Sequence, residues 1–223
     1  TIPGLLQSAV GTLLGSSFVA TYSKLLGRGE NAKAARLNAL ILIITLAGSA
    51  VAAVLAFPLA DLLVKLVAPG LSPVATRAAA AMLRIMTPVS ILVMAEGWAG
   101  SVIHGHRVFG PPSAAGIPRN LVLMLAVLVT AGTYDVWGLA WGTIAAAMVA
   151  TGWLATVALR VAPLARPSLA REKADVSAIA DLAWPMVVAG FIHRFQLVID
   201  QFLSGGVGPG AIAAIIFGHK LAQ

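Results

Sequence analysis

Long stretches of the chain carry no charged side chain, and they recur at the spacing expected of membrane helices. Four windows contain no Asp, Glu, Lys or Arg: 1–23, 37–60, 136–159 and 201–219. A helix of about 20 apolar residues crosses the ~30 Å hydrocarbon layer of a bilayer, so each window is long enough to span one. A soluble core has no room for four helices that are apolar on all sides. The pattern therefore predicts an all-α, polytopic membrane helix bundle.

Charged loops and turn residues divide the chain into seven predicted spanning segments. Their approximate limits are Ile2–Leu26, Ala34–Leu66, Val74–His104, Ile117–Gly132, Trp137–Leu159, Trp184–Ser204 and Gly210–Gln223. The Phe109-Gly110-Pro111-Pro112 run predicts a turn, because consecutive prolines fix φ and remove N–H donors. The polar stretch 163–181 predicts an interfacial amphipathic helix that begins near Ser168.

These segments predict three parts along the chain. Residues 1–161 would form most of a first helical lobe, with five spanning segments. Residues 162–183 would be a cytoplasmic amphipathic linker, and 184–223 the start of a second lobe, whose last helix is cut off.

Composition and charge agree with a membrane protein. The chain is 59% hydrophobic and 10% charged, with a mean hydropathy of +0.93, whereas soluble domains carry roughly 25% charged residues. The apolar content excludes a disordered chain, and the absence of cysteine excludes a disulfide-rich scaffold. The net charge of +7 does not form one basic face, so nucleic acid is not an expected partner.

The cations alternate between successive loops, and this alternation predicts the orientation. Loops after odd-numbered segments hold nine Lys and Arg residues: Lys24, Arg28, Lys33, Arg36, Arg107, Arg160, Arg166, Arg171 and Lys173. The opposite loops hold only Lys65 and Arg77. The positive-inside rule therefore places the first group in the cytoplasm and the 205–210 hairpin outside. Thr1 would then lie outside, so we expect at least one further helix upstream and a fragment truncated at both ends.

Arg84 and Glu96 are charged residues inside the third predicted segment. A charge at the bilayer centre is costly unless it faces protein or water. The two residues are twelve positions, or ~18 Å, apart along a helix, so they cannot pair with each other. Each needs another partner or a cavity. Alternatively, backbone carbonyls satisfy Arg84, or its long stem reaches the outer interface.

The sixth predicted segment carries a polar stripe. The stripe consists of His193, Gln196, Asp200 and Ser204. At 100° per residue, these side chains lie within about 60° of one line along the helix surface. Arg194 stands beside this stripe, and Lys220 lies ~15 Å into the seventh segment by helical rise. His193 and Gln196 are also compatible with ordinary interhelical hydrogen bonds, and Asp200 with a structural partner of a Lys or Arg.

No enzymatic motif is present. His104, His106 and His219 have no ligand spacing with carboxylates, so a transition-metal site is not expected. The chain also lacks a phosphate-binding Gly-rich loop ending in Gly-Lys-Ser/Thr, a Gly-x-Ser-x-Gly elbow and a His-Glu-x-x-His motif. The sequence therefore predicts a protein that is not an enzyme.

Several stretches resemble the MurJ (MviN) family of lipid II flippases over nearly the whole chain. They are Phe18-Val19 with the basic loop that follows, Ala68-Pro69-Gly70, Leu83 to Pro88, Phe109 to Asn120, and Gln196 through Asp200 and Gly210 to Leu221. The last stretch is the most specific. The resemblance implies a MurJ/MATE-like transporter fold, in which this fragment supplies the second to seventh helices and the start of the eighth of about fourteen around a central cavity.

The resemblance also implies roles for particular residues. Lys220 falls where the family has a cavity Arg that faces the lipid-linked pyrophosphate, and Asp200 falls at a position associated with sodium. Arg84 matches a basic position of an Arg/Lys-Ile-x-x-Pro motif. We therefore predict a substrate-binding set of Lys220, Arg84, Arg194, Glu96 and Gln196, with Asp200 as a sodium ligand of an incomplete site and no other cofactor.

The expected function is to move lipid II across the bacterial cytoplasmic membrane by alternating access. The partners would be a lipid-linked pyrophosphate saccharide and membrane lipids, and the protein would be monomeric. Many family members have an Arg pair where this chain reads Leu6-Gln7-Ser8, so exporters of other lipid-linked oligosaccharides remain open. A cation-coupled multidrug antiporter, whose cavity should be acidic or apolar, and a non-transporting scaffold also remain open.

Overall fold

The computed structural model describes residues 17–67, 72–130, 135–167, 172–185, 188, 189 and 192 of the 223-residue chain. Its helices are α1 Val19–Gly27, α2 Asn31–Ala56, α3 Ala60–Val67, α4 Pro73–Gly105, α5 Gly110–Ala114, α6 Gly116–Thr130, α7 Asp135–Val161 and α8 172–185. No strand occurs among these residues. Within the described ranges, four stretches are long and apolar enough to cross a membrane: Asn31–Ala56, Pro73–Gly105, Gly110–Thr130 and Trp137–Val161. The all-α, polytopic class is therefore confirmed.

The second predicted segment, Ala34–Leu66, is wrong as a single helix. It forms two helices, α2 and α3, separated by a turn at Phe57, Pro58 and Leu59. Pro58 has no N–H to continue the helical ladder beyond Phe57, whose own backbone is still helical, with φ −59° and ψ −54°. The last helical bond therefore runs from the Phe57 amide to the Ala53 carbonyl, at 3.0 Å. With 26 residues, α2 is already ~39 Å long, enough to cross a bilayer alone.

The turn predicted at Phe109-Gly110-Pro111-Pro112 is also partly wrong. The chain does reverse just before it, where Arg107 adopts a left-handed φ of 59°, but Gly110–Ala114 is the short helix α5. Pro111 and Pro112 lie in its first turn, where backbone N–H groups have no intrahelical acceptor and proline costs nothing. The prolines therefore start this helix instead of preventing it.

The longest helix, α4, is central to the bundle and contacts α1, α2, α3 and α7. Its last two turns contribute Trp98, Val102 and Ile103 to the main buried cluster. The other helices add these members: Phe18, Tyr22 and Leu25 from α1 and the residues just before it, Leu37 and Ile41 from α2, Leu154 and Ala158 from α7, and Ile179 from α8. The outward surfaces are apolar, as at Val54 and Val129, which are 70% and 76% exposed. Such surfaces are typical of helices in contact with lipid.

Glycines bring α6 and α7 into close contact. A Cβ at Gly138 would lie 2.4 Å from the side chain of Thr130, and a Cβ at Gly142 would lie 2.5 Å from the Cβ of Ala126. No larger residue fits at these positions without a shift of the helices. The four-residue spacing of the two glycines places both on one face of α7, as in other closely packed membrane helix pairs.

The basic loops meet at one end of the bundle, which we call the basic end. The Ser23 hydroxyl donates to the Gly105 carbonyl at 3.3 Å, which joins the end of α1 to the end of α4. Lys33 Nζ lies 2.9 Å from Asp175 Oδ2, which joins the start of α2 to α8. At the opposite, far end, α3 packs against the first half of α4 through Ala60, Val64 and Ala80. The described loops therefore follow the predicted alternation, the 205–210 hairpin lies outside the described residues, and the cytoplasmic location of the basic end stays a prediction.

Candidate functional site

A buried hydrogen bond fixes α2 against α4. Trp98 Nε1 donates to Asn38 Oδ1 at 2.8 Å, and the Asn38 side chain is fully buried. The bond satisfies the Asn38 side-chain oxygen, whereas its buried Nδ2 has no hydrogen-bond partner among the described residues. Together with the surrounding apolar cluster, this bond makes the basic half of the bundle a well-specified unit.

Glu96 forms an ion pair with Arg119. Glu96 lies on α4, and Arg119 lies in the first turn of α6, where its Nη2 donates to Glu96 Oε2. The Glu96 side chain is only 14% exposed. Since an isolated charge is expensive in a membrane, the pairing reduces the cost of both residues. It also links two helices that have few other contacts with each other.

Arg84 is held at the far end of the bundle. Its Nη2 donates to Asp61 Oδ2 on α3, and its Nε donates to the Phe57 carbonyl at 3.4 Å. The expectation that Arg84 and Glu96 need separate partners is therefore confirmed. The carbonyl contact also agrees with the alternative that backbone oxygens help to satisfy Arg84.

An apolar groove of about 320 Å³ runs between α2 and α4 below Arg84. Its lining residues are Ala53, Val54, Phe57, Arg84, Thr87, Pro88 and Ile91. Arg84 is the single charged residue among them. The Thr87 hydroxyl donates to the Leu83 carbonyl of its own helix at 2.8 Å, so its proton is already used.

At the basic end, two ion pairs attach α8 to the start of α2. Arg36 Nε donates to Glu172 Oε1 at 2.7 Å, and the Glu172 side chain is 1% exposed. Lys33 pairs with Asp175 at 2.9 Å and lies 3.8 Å from Glu30. The segment predicted to be an amphipathic linker is thus a helix over 172–185 that is fixed to the first helices of the bundle.

The sequence matches the family model described as "Lipid II flippase MurJ" over residues 1–223. The chain belongs to the MurJ family. Among curated proteins, none matches it. The resemblance inferred from the motifs is therefore confirmed, and the chain is a multi-pass membrane protein of a family of transporters.

The site predicted from the MurJ resemblance is placed only in part. Arg84 and Glu96 lie on the same helix and are not brought together, since each pairs with a different neighbouring helix. The other predicted substrate contacts, Lys220, Arg194 and Gln196, lie outside the described residues, as does Asp200. The polar stripe that begins at His193 also lies outside them.

Sequence reasoning missed the ion partners within the helix bundle. Arg119 and Asp61 both lie inside predicted spanning segments, where a charge signals that an opposite charge is near. That signal was available but does not say which helices are neighbours. Glu172 and Arg36 lie near segment ends, where charged residues are usually solvated, so their burial had no sequence signal.

Proposed function

We propose that the full-length protein moves lipid II from the inner to the outer leaflet of the bacterial cytoplasmic membrane by alternating access. The match to the MurJ family over the whole of residues 1–223 carries this proposal. Four apolar helices of spanning length support a location in the membrane. No covalent chemistry is required, since flipping moves the headgroup without changing any bond.

The packing of the first lobe suits it to move as one body. A single buried cluster joins α1, α2, α4, α7 and α8, and the Arg36–Glu172 pair attaches α8 to α2. Alternating access in related transporter plans is largely the rocking of one helical bundle against another. We infer that α8, the predicted linker, moves with the first lobe and passes its motion to the spanning segments predicted after it.

The headgroup of lipid II carries a pyrophosphate, which needs cations when it leaves water. Lys220 and Arg194 are the proposed cations, and Gln196 a proposed hydrogen-bond donor to the headgroup. Arg84 and Glu96 already have ion partners in Asp61 and Arg119, so a substrate would have to compete with an existing pair at either residue. Sodium at Asp200 would bias the inward and outward states by binding one of them more tightly.

Lys220 offers the direct test of this function. The full-length protein with Lys220→Ala should fail to replace a depleted lipid II flippase in cells and should not flip fluorescent lipid II in proteoliposomes. Lys220→Arg should retain most activity, because the charge is kept. Lys173→Ala is the matched control, since Lys173 is an exposed cation at the basic end. Normal transport by Lys220→Ala, with normal expression, would contradict the proposed role of Lys220 as a substrate cation.

The identity of the substrate is tested separately from the role of Lys220, by varying the transported lipid. A protein that flips lipid II should do so in preference to an undecaprenyl-linked oligosaccharide without the peptide. Equal transport of both would point to the broader class of lipid-linked oligosaccharide exporters. Transport of cationic drugs without flipping would favour the multidrug antiporter instead.

A further inference from the structure

The groove between α2 and α4 has a definite level relative to the bilayer. Arg36 is the last charged residue at the start of α2, so the hydrocarbon layer begins near Leu37. A helix of 20 residues spans this layer of ~30 Å, and 20 residues counted from Leu37 end at Ala56. Counting 20 residues back along α4 from His104 reaches Ile85. The hydrogen bond from Arg84 Nε to the Phe57 carbonyl joins these two positions. Both helices therefore place Arg84 at the hydrocarbon boundary of the far end.

The remaining length of α4 agrees with this level. The helix has 33 residues and is ~50 Å long, which exceeds the ~30 Å hydrocarbon layer by about four turns. Its first turns, with α3 packed against them, thus lie at the level of the lipid headgroups. Under the predicted orientation, these are the headgroups of the outer leaflet.

The headgroup level of this surface is positively charged. On α3 and the first half of α4 there are three cations, Lys65, Arg77 and Arg84, and one acid, Asp61. Arg77 lies seven residues before Arg84, so both stand on the same face of α4, ~10 Å apart along the helix axis. A guanidinium has five N–H donors, and the described contacts of Arg84 use two of them, to Asp61 and to the Phe57 carbonyl.

Below Arg84, the groove descends into the hydrocarbon layer with apolar walls. Ala53 and Thr87 are buried at its base, whereas Val54, Phe57 and Pro88 are exposed at its sides. A saccharide in this groove would leave its hydroxyl groups without partners, which is costly away from water. A hydrocarbon chain has no such cost.

From this arrangement we propose that the groove binds one anionic glycerophospholipid of the outer leaflet. The phosphate contacts the Arg84 guanidinium at the hydrocarbon boundary, and one acyl chain fills the groove between Ala53 and Ile91. This role differs from the substrate contact predicted for Arg84 and does not depend on the transported substrate. The bound lipid fills the space between the outer halves of α2 and α4, which the basic half closes with direct side-chain contacts.

Native mass spectrometry of the purified full-length protein tests this site. The protein is titrated with dioleoyl phosphatidylglycerol and, in parallel, with the zwitterionic dioleoyl phosphatidylcholine. We expect one tightly bound phosphatidylglycerol, with affinity about tenfold weaker in Arg84→Gln because a charge-assisted contact to phosphate is lost. Arg28→Gln is the matched control, since it removes an exposed cation at the basic end. It should bind phosphatidylglycerol with the affinity of the wild-type protein.

A second variant fills the groove without altering charge. Ala53→Met places a longer apolar side chain at the base of the groove, and should weaken phosphatidylglycerol binding by a similar factor. It keeps the test decisive if Arg84→Gln does not fold. Equal affinity for the two phospholipids, or unchanged binding in both folded variants, would overturn the assignment. Displacement of the bound phosphatidylglycerol by equimolar lipid II would identify the groove as a substrate site instead.

Discussion

Arg36 donates to Glu172 at 2.7 Å across 136 positions of the sequence, and the acceptor side chain is 1% exposed. This pair closes the basic end of the bundle by attaching the polar helix that follows α7 to the start of α2. A buried pair does not guarantee stability, because both charges must leave water. Removal of one partner, however, leaves the other charge buried without a partner, which should lower the stability of the protein.

Breaking the pair from one side should destabilise the full-length protein. We expect Arg36→Met to lower the free energy of unfolding by about 2 kcal/mol, less than the ~3–5 kcal/mol of fully buried pairs, because the Arg36 side chain is 28% exposed. Thermal melting of the purified protein measures this loss. The double variant Arg36→Met, Glu172→Met should recover most of it, since no buried charge remains.

The neighbouring pair supplies the control. Lys33 and Asp175 have side chains that are 34% and 20% exposed, and solvent-exposed ion pairs contribute little to stability because water screens them. Lys33→Met should therefore lower the melting temperature less than Arg36→Met. If Lys33→Met and Arg36→Met have the same melting temperature, the burial of Glu172 does not determine how strongly α8 is attached to α2.

The orientation of the bundle is tested by labelling single cysteines from outside the cell. The chain has no native cysteine, and two exposed leucines form a matched pair: Leu62 on α3, 53% exposed, and Leu164 after α7, 42% exposed. A membrane-impermeant maleimide should label Leu62→Cys in intact cells and Leu164→Cys only after permeabilisation. The opposite result would place the basic end outside.

The positions of the spanning helices could be predicted from the sequence, because hydropathy acts over about 20 residues. The windows without charges anticipated α2 and α7, and the longer apolar segments anticipated α4 and α6. Pro58 was missed because one proline barely changes the hydropathy of a window, although it ends the helix. The two ends of the bundle were also predictable, since cation counts depend on the order of the loops alone.

The contacts within the bundle could not be predicted in the same way. Arg84 and Glu96 were recognised as needing partners, but Asp61 and Arg119 became the partners only through the packing of α3 and α6 on α4. Neither pair follows from spacing along one helix. The Gly138-x-x-x-Gly142 spacing is a known sign of close helix packing, yet it does not identify α6 as the neighbour.

Because α6 packs closely on α7, we expect one added methyl group between these helices to destabilise the protein. In Gly142→Ala the new Cβ would meet the Cβ of Ala126 at 2.5 Å, so the helices must separate. We expect a loss of about 1–3 kcal/mol, as in other overpacked interiors, seen as a lower melting temperature. Gly152→Ala, on the same helix with no atom within 4 Å of the added group, should be neutral or stabilising.

A compensating variant separates packing from helix propensity. Ala126→Gly combined with Gly142→Ala moves the methyl group from α6 to α7 and keeps the space between the helices. It should melt closer to the unchanged protein than Gly142→Ala does. If Gly142→Ala and Gly152→Ala have the same effect, the close approach of α6 and α7 is not needed for stability.

The stability of the basic end should depend on pH through His106. The Tyr22 hydroxyl and His106 Nε2 form a hydrogen bond of 3.0 Å, which joins α1 to the turn after α4. Burial lowers the pKa of His106 below its ordinary value of 6.5. The unfolded chain therefore binds a proton at a higher pH than the folded one, so the stability contributed by neutral His106 is complete above about pH 6.5 and is lost as the pH falls toward the folded pKa.

Melting curves of the full-length protein between about pH 7.5 and about pH 5, on either side of the ordinary histidine pKa of ~6.5, test the direction of this pH dependence. His106→Asn should be less stable than the unchanged protein at the upper pH, because the contact with Tyr22 is altered. The difference should shrink at the lower pH, since the variant has no imidazole to protonate. His104→Asn is the control, because the His104 ring lies against Phe109 instead, with ring centroids 5.5 Å apart. A difference that grows on acidification would mean that protonated His106 is stabilised in the fold, contrary to the effect of its burial.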